Sequence, residues 1–150
     1  MGIDYRQLVR GDRVHGSLLH DSEVFAEEME RIFVRGWAFV GHESEIKNNG
    51  DWVKRQLGNE SVIMVRGDDG DIGVLSNRCA HRGTALCWEQ RGNASFFQCT
   101  YHNWRFGLDG SLRAVPFPDG YSKPKEALGL DRAGQVASYR GFVFANLDGR

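Results

Sequence analysis

With 150 residues the chain suits one domain with a core of its own and has no need of disulfide support. Its 41% hydrophobic and 26% charged residues are ordinary for a soluble globular protein. A formal net charge of −1 removes the electrostatic case for nucleic acid or a membrane surface as partner, and no apolar run approaches a membrane span.

The chain opens on Met-Gly-Ile-Asp-Tyr-Arg-Gln, which lacks the apolar core of a signal peptide, and residues 1–20 read as polar and irregular. From there the pattern is helical over about 21–36. Phe25, Met29, Ile32 and Phe33 fall at i, i+4, i+7 and i+8, one apolar stripe expected to pack on the domain. Asp21 or Ser22 can cap its start, with Glu23, Glu27 and Glu28 at the positive end of the helix dipole. Arg31 and Arg35 suit the other end, and Gly36 closes it.

After His42 the pattern is all-β. Trp52–Leu57 and Ser61–Arg66 flank the turn dipeptide Gly58-Asn59, and Val62-Ile-Met-Val65 reads as a strand buried on both sides. Gly67–Gly70 turns into Ile72–Leu75, and Asn77 and Arg78 lead onward. Arg91-Gly92-Asn93 is read as a turn into Ser95–Gln98, whose Phe96-Phe97 pair would pack nearby. Trp104–Leu108, the hairpin signal Asp109-Gly110 and Ser111–Ala114 follow. Pro116–Tyr121 is loop, and Val136–Arg140 with Phe142–Leu147 closes the domain.

The chemistry sits between two of these strands. Cys79-Ala-His81-Arg82-Gly83 and, downstream, Cys99-Thr-Tyr101-His102-Asn103-Trp104 form two clips, each offering one thiolate and one imidazole. Structural zinc usually takes like with like, two Cys from one turn and two His from a helix. Here each turn supplies one of each. A Rieske [2Fe–2S] cluster needs that arrangement, because one iron takes two Cys and the other two His. Cys79 and Cys99 then hold one iron as thiolates, and His81 and His102 the other. Cys87 is left without a disulfide partner, which suits a reduced cytoplasmic compartment and a small packed side chain.

C-x-H-R-G followed by C-x-Y-H-x-W resembles the Rieske domain of the large (α) subunit of aromatic-ring-hydroxylating oxygenases. The helix followed by Trp37–His42 is similar to the lead-in of those subunits, which free Rieske ferredoxins generally lack. The closing Gly141–Leu147 also resembles the family's last strand. After the second His the family commonly has Gly; Asn103 stands there, the non-Gly residue that best tolerates a positive φ. The disulfide-linked cysteines of the respiratory Rieske proteins are replaced by Thr84 and Tyr101, which favours a potential toward the low end of the range of roughly −150 to +300 mV.

The resemblance implies an antiparallel β-sandwich of the Rieske type with two cluster-binding hairpin loops, residues 43–150, preceded by a lead-in, 1–42, that carries the helix. It further implies electron transfer through the cluster to a mononuclear Fe(II) in a catalytic domain beyond this sequence. The donor would be a ferredoxin or flavin reductase, the acceptor the catalytic domain of a neighbouring α subunit, with a small β subunit in the assembly. By residue matching His102 is the electron exit. Arg82, Gly83, Asn103 and Trp104 supply backbone N–H groups to the sulfurs, while Tyr101 and Trp104 either wall the cluster from water or tune it. Asp12, His15 and His20 resemble the family's D-x-x-H-x4-H iron motif but precede both loops, where that motif does not belong, and are read as a decoy. The alternatives are a free-standing Rieske ferredoxin and a structural zinc protein.

Overall fold

The computed structural model describes residues 3–148; Met1, Gly2, Gly149 and Arg150, which belong to the lead-in and closing segments as read above, lie outside them. A helical turn, α1 (Tyr5–Leu8), and a two-stranded ribbon, β1 (Val9–Arg10) with β2 (Arg13–Val14), occupy the segment expected to be irregular. Helix α2 (Ser22–Glu28) follows, capped by the Asp21 carboxylate, which accepts from the N–H of Glu23 at 2.8 Å.

From Met29 to Val34 the helix widens into π geometry, and Arg35 N–H reaches back five residues to the Glu30 carbonyl. This is a departure from the single apolar stripe. The wider turn rotates the register, so Phe25 and Ile32 are exposed while Val24 is buried. Phe33 packs on the body of the domain, and Met29 and Phe33 approach Gly58. Gly36 does end the helix, for a steric reason: a Cβ there would lie 2.5 Å from the Ile32 carbonyl oxygen.

The rest is antiparallel sheet. Strands β4 (Asp51–Leu57), β5 (Glu60–Arg66), β6 (Ile72–Ser76) and β7 (Arg91–Asn93) form a four-stranded sheet in the order β6-β5-β4-β7, with β3 (Ala38–His42) in a second sheet. That second sheet has the order β11-β12-β3, with β11 (Gln135–Tyr139) and β12 (Phe142–Asn146). The third, β10-β9-β8, is built from β8 (Phe97–Gln98), β9 (Arg105–Phe106) and β10 (Leu112–Ala114).

Alternation along β5 decides how they stack. Ile63 and Val65 join Trp52, Leu75, Phe97, Trp104 and Phe106 in one core, whereas Val62 and Met64 join Val53, Val40, Val143 and Ala145 in another. The four-stranded sheet is therefore the middle layer, buried on both faces, which is why β5 reads as a continuous apolar run. Arg55 ties the lead-in to this layer: its guanidinium pairs with Glu45, and its Nε–H donates to the Val40 carbonyl at 3.1 Å.

Residues 91–93, expected to turn, are strand β7 instead, with Gly92 opposite Trp52. Glycine weakens a strand on propensity alone. Here it is required because a Cβ would sit 2.8 Å from the Trp52 indole. Gly92→Ala is expected to lower unfolding stability by about 1–3 kcal/mol through overpacking, read as the midpoint of urea denaturation. Gly120→Ala, with nothing within 4 Å, is the control that should leave the midpoint in place. Equal midpoints for the two variants would show that Trp52 yields freely.

Candidate metal centre

The two clips fold into hairpin loops closed by the same pair of backbone hydrogen bonds. Cys79 N–H donates to the Thr84 carbonyl at 2.9 Å, and Gly83 N–H donates to the Cys79 carbonyl at 2.8 Å. In the second loop Cys99 N–H donates to the Trp104 carbonyl at 2.9 Å, and Asn103 N–H to the Cys99 carbonyl at 2.9 Å. The fourth residue after each Cys adopts positive φ, Gly83 at 73° and Asn103 at 58°, so Asn103 keeps the loop shape as expected. These bonds commit the Gly83 and Asn103 N–H groups to carbonyl oxygens rather than sulfur. The N–H groups of His81 and Arg82 are those that face the Cys79 thiol.

A bridge between Arg78 and Ala85 and the strands β8 and β9 set the bases of the two loops. Asn77 fastens the first loop further. Its buried amide donates to the Cys87 carbonyl at 2.9 Å and the Ser61 hydroxyl at 3.2 Å, and its oxygen accepts from the N–H groups of Leu86 and Cys87. All of its polar capacity is used. The sequence signal for this was slight, a single polar residue between a buried strand and a ligand loop.

Cys79 and Cys99 are buried, and their side chains meet. Burial pushes the Cys79 thiol up; the His81 N–H opposes this, Cys99 adds to it, and the Arg82 N–H opposes it again. Ionising such a pair calls for a cation to offset the charge. The His81 and His102 rings lie 4.7 Å apart. Burial, then His102 and Arg82, lowers the His81 pKa and favours the neutral imidazole that binds metals. Its Nδ1 is buried without a hydrogen-bond partner, the state of a nitrogen kept for something else. Two facing thiols, two adjacent imidazoles and one orphaned ring nitrogen fit a diiron cluster held by a pair of cysteines and a pair of histidines.

The flanking aromatics divide. Trp104 is buried and stacks on His81 with 3° between ring planes. Tyr101 is exposed and covers His102 at 3.9 Å. Phe97 is buried in the core beside the loops, whereas Phe96 is exposed with the Arg105 guanidinium over its ring. Arg82 is exposed. Cys87 is buried, its thiol pushed up to about 12 by burial, which makes it inert packing.

Asp12, His15 and His20 lie elsewhere, around the β1–β2 ribbon and the turn after it. Asp12 pairs with Arg13, and His15 Nδ1 accepts from the Ser17 N–H. Among the described residues no group of three or more His, Cys, Asp or Glu side chains is set to hold a single metal ion.

The fold and the matched loops define a class, and the chain belongs to it: it is a member of the Rieske [2Fe–2S] domain family, whose model matches residues 36–139. A [2Fe–2S] cluster is accordingly its cofactor. Among its relatives is the α subunit of an N,N-dimethyl phenylurea N-demethylase from Sphingobium sp. (strain YBL2), 44% identical over 87% of this chain and 29% of the relative. The large oxygenase component of a naphthalene 1,2-dioxygenase system from Pseudomonas aeruginosa is 40% identical over 98% of this chain and 31% of the relative. The structure of naphthalene 1,2-dioxygenase from Rhodococcus sp. superposes with a TM-score of 0.85 at 38% identity, covering 91% of this chain and 32% of that one. A quaternary ammonium Rieske monooxygenase matches with a TM-score of 0.82 at 36% identity, over 88% of this chain and 36% of that one. The chain thus spans about a third of the relatives it matches.

Asn77→Ala would strand the Leu86 and Cys87 N–H groups in the core. It is expected to cost about 2–4 kcal/mol of stability, measured by denaturant unfolding of the reconstituted protein. A loss below about 1 kcal/mol would mean that water replaces the amide.

Proposed function

We propose that this chain is the electron-carrying part of a multicomponent Rieske oxygenase and holds its cluster through four side chains, Cys79 and Cys99 on one iron, His81 and His102 on the other. The observation that carries the reading is the pair of identically closed loops that bring the two thiols together and set the two imidazoles side by side, with His81 Nδ1 buried and unpaired. Bound there, the cluster supplies a centre that takes up and returns one electron.

The residues around it have separable tasks. The His81 and Arg82 N–H groups turn toward sulfur and favour its anionic form. Trp104 stacks flat on the half-buried His81 and covers one face of its ring, and the half-buried His102, under the exposed Tyr101, is the side from which an electron leaves.

The match to large oxygenase subunits over 98% of the chain, lead-in included, supports this reading over a free-standing ferredoxin. The partners are a ferredoxin or flavin reductase as donor and, as acceptor, the mononuclear iron of a neighbouring α subunit's catalytic domain, with a small β subunit in the assembly. Three cysteines, none of them in a disulfide, suit a reducing cytoplasm, and no helix among the described residues is long and apolar enough to cross a membrane. The parent reaction is NAD(P)H-dependent dioxygenation of an aromatic compound. The named relatives also include a demethylase and a monooxygenase.

Protein reconstituted anaerobically is expected to contain two irons and two acid-labile sulfides per chain and to accept one electron from dithionite. Cys79→Ser, Cys99→Ser, His81→Ala and His102→Ala should each abolish the cluster absorption, whereas the double change His15→Ala with His20→Ala should leave iron content and spectrum as they were. Zinc without sulfide in the purified protein would overturn the assignment.

A further inference from the structure

The aromatic rings packed against the half-buried His81 are anchored from outside both ligand loops. Trp104 is almost fully buried, and its indole N–H, which can only donate, needs an acceptor. That acceptor is the hydroxyl of Tyr121, at 3.2 Å. The Tyr121 ring also meets the Trp104 ring edge-on at 5.0 Å and 87°, and the His81 ring edge-on at 6.1 Å and 88°. Tyr121 therefore touches His81 directly and holds the indole that lies flat against it.

Its position is set by a loop that spends conformational energy to place it. Phe117 adopts φ 56°, costly for a bulky residue, yet its side chain is 86% exposed and gains no packing from the strain. The tight turn that follows, with Gly120 N–H on the Phe117 carbonyl and Tyr121 N–H on that of Pro118, turns Tyr121 inward against the core. A recess of about 290 Å³ lies there, lined among others by Ala80, His81, Trp104, Tyr121 and Lys123, and Tyr121 forms part of its wall. Among the described residues the rings that meet His102 are the exposed Tyr101, at 3.9 Å, and His81 itself, at 4.7 Å.

We infer that Tyr121 is a positioning residue for the cluster: through its hydrogen bond to Trp104 and its edge contact with His81, it fixes the His81 imidazole and keeps water from that iron. The inference rests on the ligand reading above. Reduction adds a negative charge, which water stabilises, so opening this wall should raise the midpoint potential.

Iron and sulfide in wild-type protein are counted first. Their absence would overturn the ligand assignment itself, independently of Tyr121. Tyr121→Ala is then expected to keep two irons and two sulfides while raising the midpoint potential and shifting the g values of the reduced cluster in electron paramagnetic resonance. Tyr121→Phe keeps the ring but removes the acceptor for Trp104, and should shift the g values less, with the potential close to wild type. Should the alanine variant fail to fold, the phenylalanine variant decides by its g values alone. Full cluster content with unchanged g values in Tyr121→Phe, together with an unchanged potential in any folded alanine variant, would reduce Tyr121 to loop filler.

Discussion

Two thiols buried against each other are the constraint on which the rest of the molecule depends. Neither can ionise cheaply inside a protein, and both must do so to bind iron, so they have to face each other where a metal can neutralise them. A flexible chain would swing them apart. The loops prevent this with two backbone hydrogen bonds each, in the same pattern, from residues that lie in different parts of the sequence. The positive φ at Gly83 and Asn103 is what lets each loop curl back on its own cysteine.

Rigid loops need a rigid floor. The middle sheet provides it by being buried on both faces, one toward the loops and the other toward the β11-β12-β3 sheet and the lead-in. Asn77 joins floor and loop: its side chain reaches from Ser61 on β5 to the backbone beyond the first clip. A buried amide with every bond satisfied favours one arrangement over its neighbours, because any shift leaves a polar group unpaired.

The two imidazoles are adjacent but differently housed. Both are half-buried, but His81 packs against Trp104 and Tyr121, while His102 lies beneath a tyrosine open to solvent. The two rings thus differ in their aromatic neighbours. The relatives act on substrates as different as naphthalene and a dimethyl phenylurea.

The sequence by itself determined what depends on local pattern. The two Cys-and-His clips proposed as ligands, the left-handed loop position at Asn103, the two-sided burial of Val62–Val65 and most strand positions follow from motif, propensity and alternation, each carried by a few neighbouring residues. What only the tertiary structure decided depends on partners far away in the chain. The π turn at Met29–Val34 rotated the expected stripe outward at Phe25 and Ile32, because packing of Phe33 and the meeting with Gly58 outweighed helical periodicity. Gly92, a turn residue by composition, became strand because it lies beneath Trp52. The tasks of Asn77 and Tyr121 were hidden for the same reason: their partners are Ser61, Cys87, Trp104 and His81, and no local rule brings those residues together.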